Sequence, residues 1–218
     1  MLRAAGSRSA PRVLWSSCMR FRRRAMGWIG LVVACVYLLP AARDARASSA
    51  IAVTWDGLLR ASTAVVVATA GAPSSRWENG RIYTYTPVHV DRSVSGNLPA
   101  GADAVVRTMG GVVGSIGQSV EGEALFTAGR PSMLFLQPAP GGSAYDVTAR
   151  GQGQFPVIAD DATRPARVVR NFAGGVLFRP ALSPPAAPPQ LAAELLHGRT
   201  VDDAVREVVS AWNRTHPG

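Results

Sequence analysis

The side chains able to do chemistry are few in this 218-residue chain, and they are scattered. The three histidines are His89, His197 and His216, and the two cysteines, Cys18 and Cys35, both precede residue 47. No His-x-x-x-His pair or aspartate cluster accompanies them, so nothing has the spacing of a metal site, and neither metal nor cofactor is expected. Ser115 stands in Gly114-Ser115-Ile116-Gly117, which lacks the G-x-S-x-G spacing of a nucleophile on a strand-to-helix turn. Asp160 and Asp161 precede Ala162-Thr163-Arg164-Pro165 and read as solvated loop carboxylates. His89 is the one histidine in the strand-rich region that could act as a general base. It leaves a small hydrolase as an alternative reading, with no catalytic residue assigned.

Binding chemistry has a better candidate in residues 75–86, S-R-W-E-N-G-R-I-Y-T-Y-T. Trp77, Arg81, Tyr83 and Tyr85, with His89 further along, combine aromatic faces with cations and could stack on a sugar, a base or a protein side chain. The same residues also make a hairpin. Asn79-Gly80 tolerates the positive φ angles of a tight turn, and aromatic residues facing each other across two strands stabilise such a turn. Both readings stay open at this point.

The elements that would position these residues begin after a leader. Arg20 to Arg24 is basic, Met26 to Leu39 is apolar, and Ala45-Arg46-Ala47 offers small residues at a cleavage position, the order of a secretory signal cut after Ala47. The apolar run falls short of the roughly 20 residues a transmembrane helix needs, so no span is expected after cleavage. Val32-Val33-Ala34-Cys35 gives an alternative in which Cys35 is lipidated. The chain is therefore expected to be secreted or periplasmic, or else lipid-anchored through Cys35. Nine of its arginines lie in the first 47 residues against one acid; 14 arginines and 13 acids follow. The formal charge of +9 is thus largely the leader's, and a near-neutral remainder argues against a nucleic-acid partner.

Ile51 to Ala61 spaces Ile51, Trp55, Leu58 and Leu59 as one side of a short helix. Ser62 to Ala70 (STAVVVATA) reads as a buried strand, and Arg81 to Val94 alternates as a half-buried one, with Pro87 marking an edge or a bulge. Further strands are expected at Ala104 to Met109, Ser132 to Gln137, Tyr145 to Arg150, Gln154 to Ile158 and Ala166 to Arg170. Short strands at this spacing point to a small barrel or sandwich. The proline-rich run 183–190 is an extended spacer. Beyond it a short helix, Leu191 to Leu196, precedes a second, capped by Thr200 with Asp203, whose stripe is Val201, Ala204, Val205, Val208, Val209 and Trp212. The expected organisation is a signal peptide (1–47), a β-barrel domain (48–182), the spacer (183–190) and a helical segment (191–218).

Met109 to Phe126 (MGGVVGSIGQSVEGEALF) carries five glycines but neither a P-loop lysine nor a G-x-G-x-x-G fingerprint. These glycines are read as letting the backbone turn between strands, with Ile116, Val120 and Phe126 pointing inward. That segment, together with the strand around Ala64 to Ala70, R-W-E-N-G-R-I-Y-T, Val94-Ser95-Gly96 and the M-L-F-L of Met133 to Leu136, resembles a group of uncharacterised exported bacterial proteins. Their strand order is similar to the netrin-like modules of tissue inhibitors of metalloproteinases. Over residues 50–172 the resemblance implies a mainly β protein. It would be a small OB-type (netrin-like) barrel, closed or partly open, with a short N-terminal helix and a C-terminal helical appendage. The inhibitors hold the protease zinc through an amino-terminal cysteine, which the chain after Ala47 lacks, so that mechanism does not carry over. The expected function is an exported, non-enzymatic binding or interaction module whose partner is an extracytoplasmic protein or a glycan. An inhibitor or accessory domain of secreted proteases is the alternative that the resemblance implies.

Overall fold

The structure, a computed structural model, describes residues 49–159, 163–171, 176–180 and 188–217. The expected leader with Cys35, Ala45 and Ala47, the pair Asp160 and Asp161, and most of the proline-rich run lie outside the described residues.

Five strands form a closed ring: β2 (Ala64–Ala70), β4 (Arg81–Gly96), β5 (Asp103–Met109), β8 (Pro131–Pro138) and β9 (Tyr145–Val147). Around the barrel the order is β8-β2-β4-β5-β9, and β9 returns to β8. Every pairing in the ring is antiparallel except β5 with β9, where only Val106 with Tyr145 and Arg107 with Asp146 are in register. The chain is mainly β, as expected. In its first half β4 pairs on one side with β3 (Ser74–Glu78) and in its second half with β2. Pro87 sits where that partner changes: β3 ends opposite Tyr85 and β2 begins opposite Val88, so the missing N–H falls in the gap. The irregularities that bend β4 lie elsewhere, opposite Val65/Val66 and Val67/Ala68.

Two cores share this ring. Val66, Val88, Val90, Val106, Leu134 and Leu136 fill the barrel. The opposite faces of β2 and β8 present Val65, Val67, Met133 and Phe135 to a second core outside it. Both faces of these strands are buried, which explains the unbroken apolar runs A-V-V-V-A and S-M-L-F-L. The covering layer is helical: α1 (Trp55–Ala61), α2 (Ala192–Leu196) and α3 (Val201–Thr215). Trp55 meets Phe135 edge-on, and Phe135 meets Phe155 of β10 (Gln154–Ile158) in the same way. Thr54 caps α1 by accepting from the Gly57 N–H, and Thr200 caps α3 by accepting from the Asp203 N–H. The C-terminal helix thus folds back onto the barrel, burying Ala204, Val205, Val208 and Ala211.

Several expectations are corrected. Ile51 belongs to a strand, β1 (Ser49–Ile51), which pairs in parallel with β12 (Val176–Phe178), and its side chain is exposed. Tyr145 to Arg150 is a strand only to Val147, because Ala149 and Arg150 both turn left-handed into a 3-10 turn (Arg150–Gly153). Of Ala166 to Arg170 only β11 (Arg167–Val168) is strand. Met109 to Phe126 holds a small hairpin, β6 (Gly111–Val113) and β7 (Ile116–Gln118), in which Ile116 faces solvent rather than the core. Val120 and Phe126 are half-buried, Phe126 against the barrel interior. Val209 falls off the buried stripe of α3.

Gly96 ends β4 with φ +87°, and a Cβ there would be driven into the Thr63 carbonyl oxygen and to 2.7 Å from the Ala64 Cα. Gly96→Ala is expected to cost more than about 2 kcal/mol, read as urea unfolding. Gly101→Ala, with φ +79° but open space around it, should cost about 1 kcal/mol.

Candidate functional site

Among the described residues the helices cover β2, β8 and the later part of β4, so the first part of β4 with β5 and β9 keeps an outer face of its own. Alternation along β4 sends Ile82, Val88 and Val90 inward and leaves Tyr83, Tyr85 and His89 outside. Opposite Tyr83 and Tyr85 on β5 stand Met109 and Arg107, and opposite Arg107 on β9 stands Asp146.

Arg107 is the centre of this face. Its side chain is only 10% exposed, and it forms a two-pronged ion pair with Asp146, Nε to Oδ1 and an Nη to Oδ2, both at 3.0 Å. Its other Nη reaches Glu78 Oε1 at 3.1 Å. The guanidinium lies 4.7 Å above the Tyr83 ring. The Asp146 hydrogen bonds hold its charge well above the ordinary arginine range, against burial, which works the other way. Glu78 also accepts from the Tyr85 hydroxyl, and Arg76 lies 3.8 Å above the Tyr85 ring. Both tyrosines are thus already roofed by arginines.

Beside this cluster opens a cleft of about 220 Å³, lined by Tyr83, Arg107, Glu123, Gln137, Asp146 and Arg150, with Met109, Val147 and Ala149 as its apolar part. Glu123 is nearly buried, its side chain 11% exposed, with Arg150 Nε at 3.4 Å and Arg150 itself 56% exposed. Burial pushes the Glu123 carboxyl up; a hydrogen bond from the Met109 backbone and the charge of Arg150 oppose the shift, and the charge of Asp146 adds to it.

The glycine-rich segment delivers Glu123 because its end is clamped. Gln154, itself buried, accepts from the Leu125 N–H at 2.9 Å and donates to the Leu125 carbonyl at 2.7 Å. The Gly151 N–H donates to the Gly122 carbonyl at 2.8 Å. Arg150 is delivered by strain: Ala149 and Arg150 have φ of 54° and 57°, each costing of order 1 kcal/mol in a residue other than glycine. Such a cost at a cleft rim is characteristic of binding sites.

The residues singled out from the sequence divide. Tyr83 and Tyr85 share the outer face, and Tyr83 borders the cleft. Asn79 and Gly80, both with positive φ, make the two-residue turn, and Arg81 lies across it from Glu78, exposed. Trp77 is 49% exposed but opposite Ile82, hence on the other face of the ribbon from the tyrosines. His89 is midway along β4, where its pairing with β5 ends, on the exposed Asp103 carboxylate at 2.8 Å. Sequence reasoning missed Arg107, Glu123, Asp146 and Arg150. An arginine inside the apolar strand A-V-V-R-T-M was the available signal. Among the described residues no group of three His, Cys, Asp or Glu is arranged to hold a metal ion.

Two outcomes are expected. Arg107→Met should cost about 3 kcal/mol in urea unfolding, since it strands two half-buried carboxylates, and Arg107→Lys should recover less than half because it cannot pair two-pronged. A loss below about 0.5 kcal/mol, the range of a surface pair, would show that the cluster is dispensable. Glu123 is different, because its raised pKa makes the neutral form the better fit to the fold. The stability it contributes when protonated is complete below its unfolded pKa and is lost as pH rises through the folded value. Glu123→Gln should therefore raise the melting temperature at neutral pH, and the gain should shrink on acidification. No protein-family model, curated protein or solved structure matches the chain.

Proposed function

We propose that the chain is an exported, non-enzymatic binding module, an OB-type barrel that uses the uncovered face of β4, β5 and β9 to hold an extracytoplasmic glycan or protein. The observation that carries the reading is the cleft: a concavity on a barrel wall that the described helices leave free, lined by a tyrosine, two arginines, two carboxylates, an amide and three apolar side chains. Counting only the ring strands in chain order, the sequence around the barrel is 1-2-3-5-4, with the third and fifth parallel. That order supports the OB-type reading, and in such barrels the face of the second and third strands is a common ligand platform. Here those are β4 and β5.

Binding is favoured over catalysis by how the ionisable groups are engaged. Arg107 is taken up by Asp146 and Glu78, and Glu123 by Arg150. A general base must be within reach of a substrate proton and free to take it, and carboxylates held by arginines are poor at this. The leader motif, with its basic stretch, apolar run and Ala45-Arg46-Ala47, supports export.

The test is calorimetric titration of the protein purified after export, with neutral oligosaccharides, charged peptides and a single-stranded oligonucleotide as probes. At least one saccharide or peptide should bind, and Gln137→Ala should weaken it about tenfold while the melting temperature stays within a few degrees. Silence from every probe would overturn the reading, as would binding that ignores the substitution.

A further inference from the structure

We infer that the cleft is built for a neutral, polyhydroxylated ligand, taken one saccharide ring at a time, rather than for an ion; this rests on the cleft being the binding site. Size sets the first limit. At about 220 Å³ the space falls below the roughly 300–1,000 Å³ of clefts that enclose drug-sized molecules, and it suits one ring-sized unit of something longer.

Charge sets the second. The lining has both signs in balance, Arg107 and Arg150 against Glu123 and Asp146, and each is already matched: Arg107 to Asp146 at 3.0 Å and to Glu78 at 3.1 Å, Arg150 to Glu123 at 3.4 Å. An anion would have to draw an arginine away from its carboxylate, and a cation would have to do the reverse. Either leaves a buried charge without its partner, the costly way to disrupt such a pair. Phosphate-bearing ligands are disfavoured on the same ground, since no cation in the lining is uncommitted.

Hydroxyl groups have no such difficulty. The Arg107 guanidinium spends three of its roughly five N–H groups on Asp146 and Glu78, and each carboxylate keeps lone pairs to spare. Glu123, largely desolvated and already met by Arg150 and the Met109 backbone, keeps lone pairs that an O–H can fill. Gln137 offers an acceptor and donors on one amide. Adjacent hydroxyls on a ring donate and accept along one edge, so they can bridge these planar groups without breaking any of the ion pairs. Arg150, at the rim and mostly exposed, can follow the ligand while still facing Glu123.

The experiment compares neutral gluco-, manno- and galacto-configured oligosaccharides with their per-O-methylated forms by calorimetric titration of the exported protein. At least one unmodified saccharide should bind. Methylation should weaken it about tenfold or more, because the site's polar groups are then left unmatched, and Gln137→Ala should do the same without lowering the melting temperature. Raising the salt to about 0.5 M should change the affinity less than about twofold, whereas an ionic ligand would be screened. Saccharide binding that survives methylation or Gln137→Ala would overturn the inference. So would silence from the saccharides while a charged peptide or oligonucleotide binds and loses affinity in Gln137→Ala; the cleft would then remain a site for another class. Silence from every probe would remove the inference and the binding reading together.

Discussion

The barrel depends on how its last seam is closed. Four of its five pairings are antiparallel, and those of β2 with β4, β2 with β8 and β4 with β5 run for six or seven residues. The fifth, β5 with β9, is parallel and only two residues long, Val106 with Tyr145 and Arg107 with Asp146. So short a parallel contact contributes little by its backbone alone, since parallel pairing is the weaker kind per residue. The second of those pairs carries the two-pronged ion pair, lying across the seam on its outer surface, and Glu78 ties the same guanidinium to the β3 ribbon. Val106 and Val147 seal the inside. The contact that closes the ring therefore also shapes the cleft beside it.

The two sides of the barrel solve the burial problem differently. On β2 and β8 the outward residues are Val65, Val67, Met133 and Phe135, which must be covered, and α1, α2 and α3 cover them. On β4 and β5 the outward register carries Tyr83, Tyr85, Arg107 and His89, whose polar ends meet water or each other, and the apolar Pro87, Val105 and Met109 are interspersed among them. One face packs and the other stays open. The helical segment after the proline-rich run is consequently part of the barrel's own packing, with Arg92 of β4 paired to Asp202 of α3 at 2.7 Å.

Much of this was legible in the residue pattern. The alternation of Arg81 onward, the Asn79-Gly80 turn, β10 at Gln154–Ile158 and the Thr200 cap all follow from local rules, and the structure has each of them. The two-faced burial of β2 was also readable, because V-V-V without alternation needs apolar partners on both sides. Three-residue strands such as β6 and β7 were not, since a run that short has no period. Ile116 shows the cost: apolar residues among glycines suggest a core, yet the hairpin projects from the barrel and leaves it in solvent. The site itself was legible only in fragments. Arg107 and Asp146 are 39 residues apart and meet through a closure that no local pattern encodes, and Glu123 reaches the cleft through the Gln154 clamp on Leu125, 29 residues away. The aromatic hairpin drew attention to the correct face through Tyr83, while register alone separates Trp77 from it.

A cleft that straddles the seam has a mechanical corollary. Whatever spans from the β5 side to the β9 side acts as an extra rivet across the shortest joint in the wall, and mass action then makes the closed ring harder to open in proportion to how fully the site is occupied. For the exported binding module proposed above, with no cysteine after Cys35, resistance to proteolysis would rise with the local abundance of the bound molecule, so that the empty protein is the one removed first.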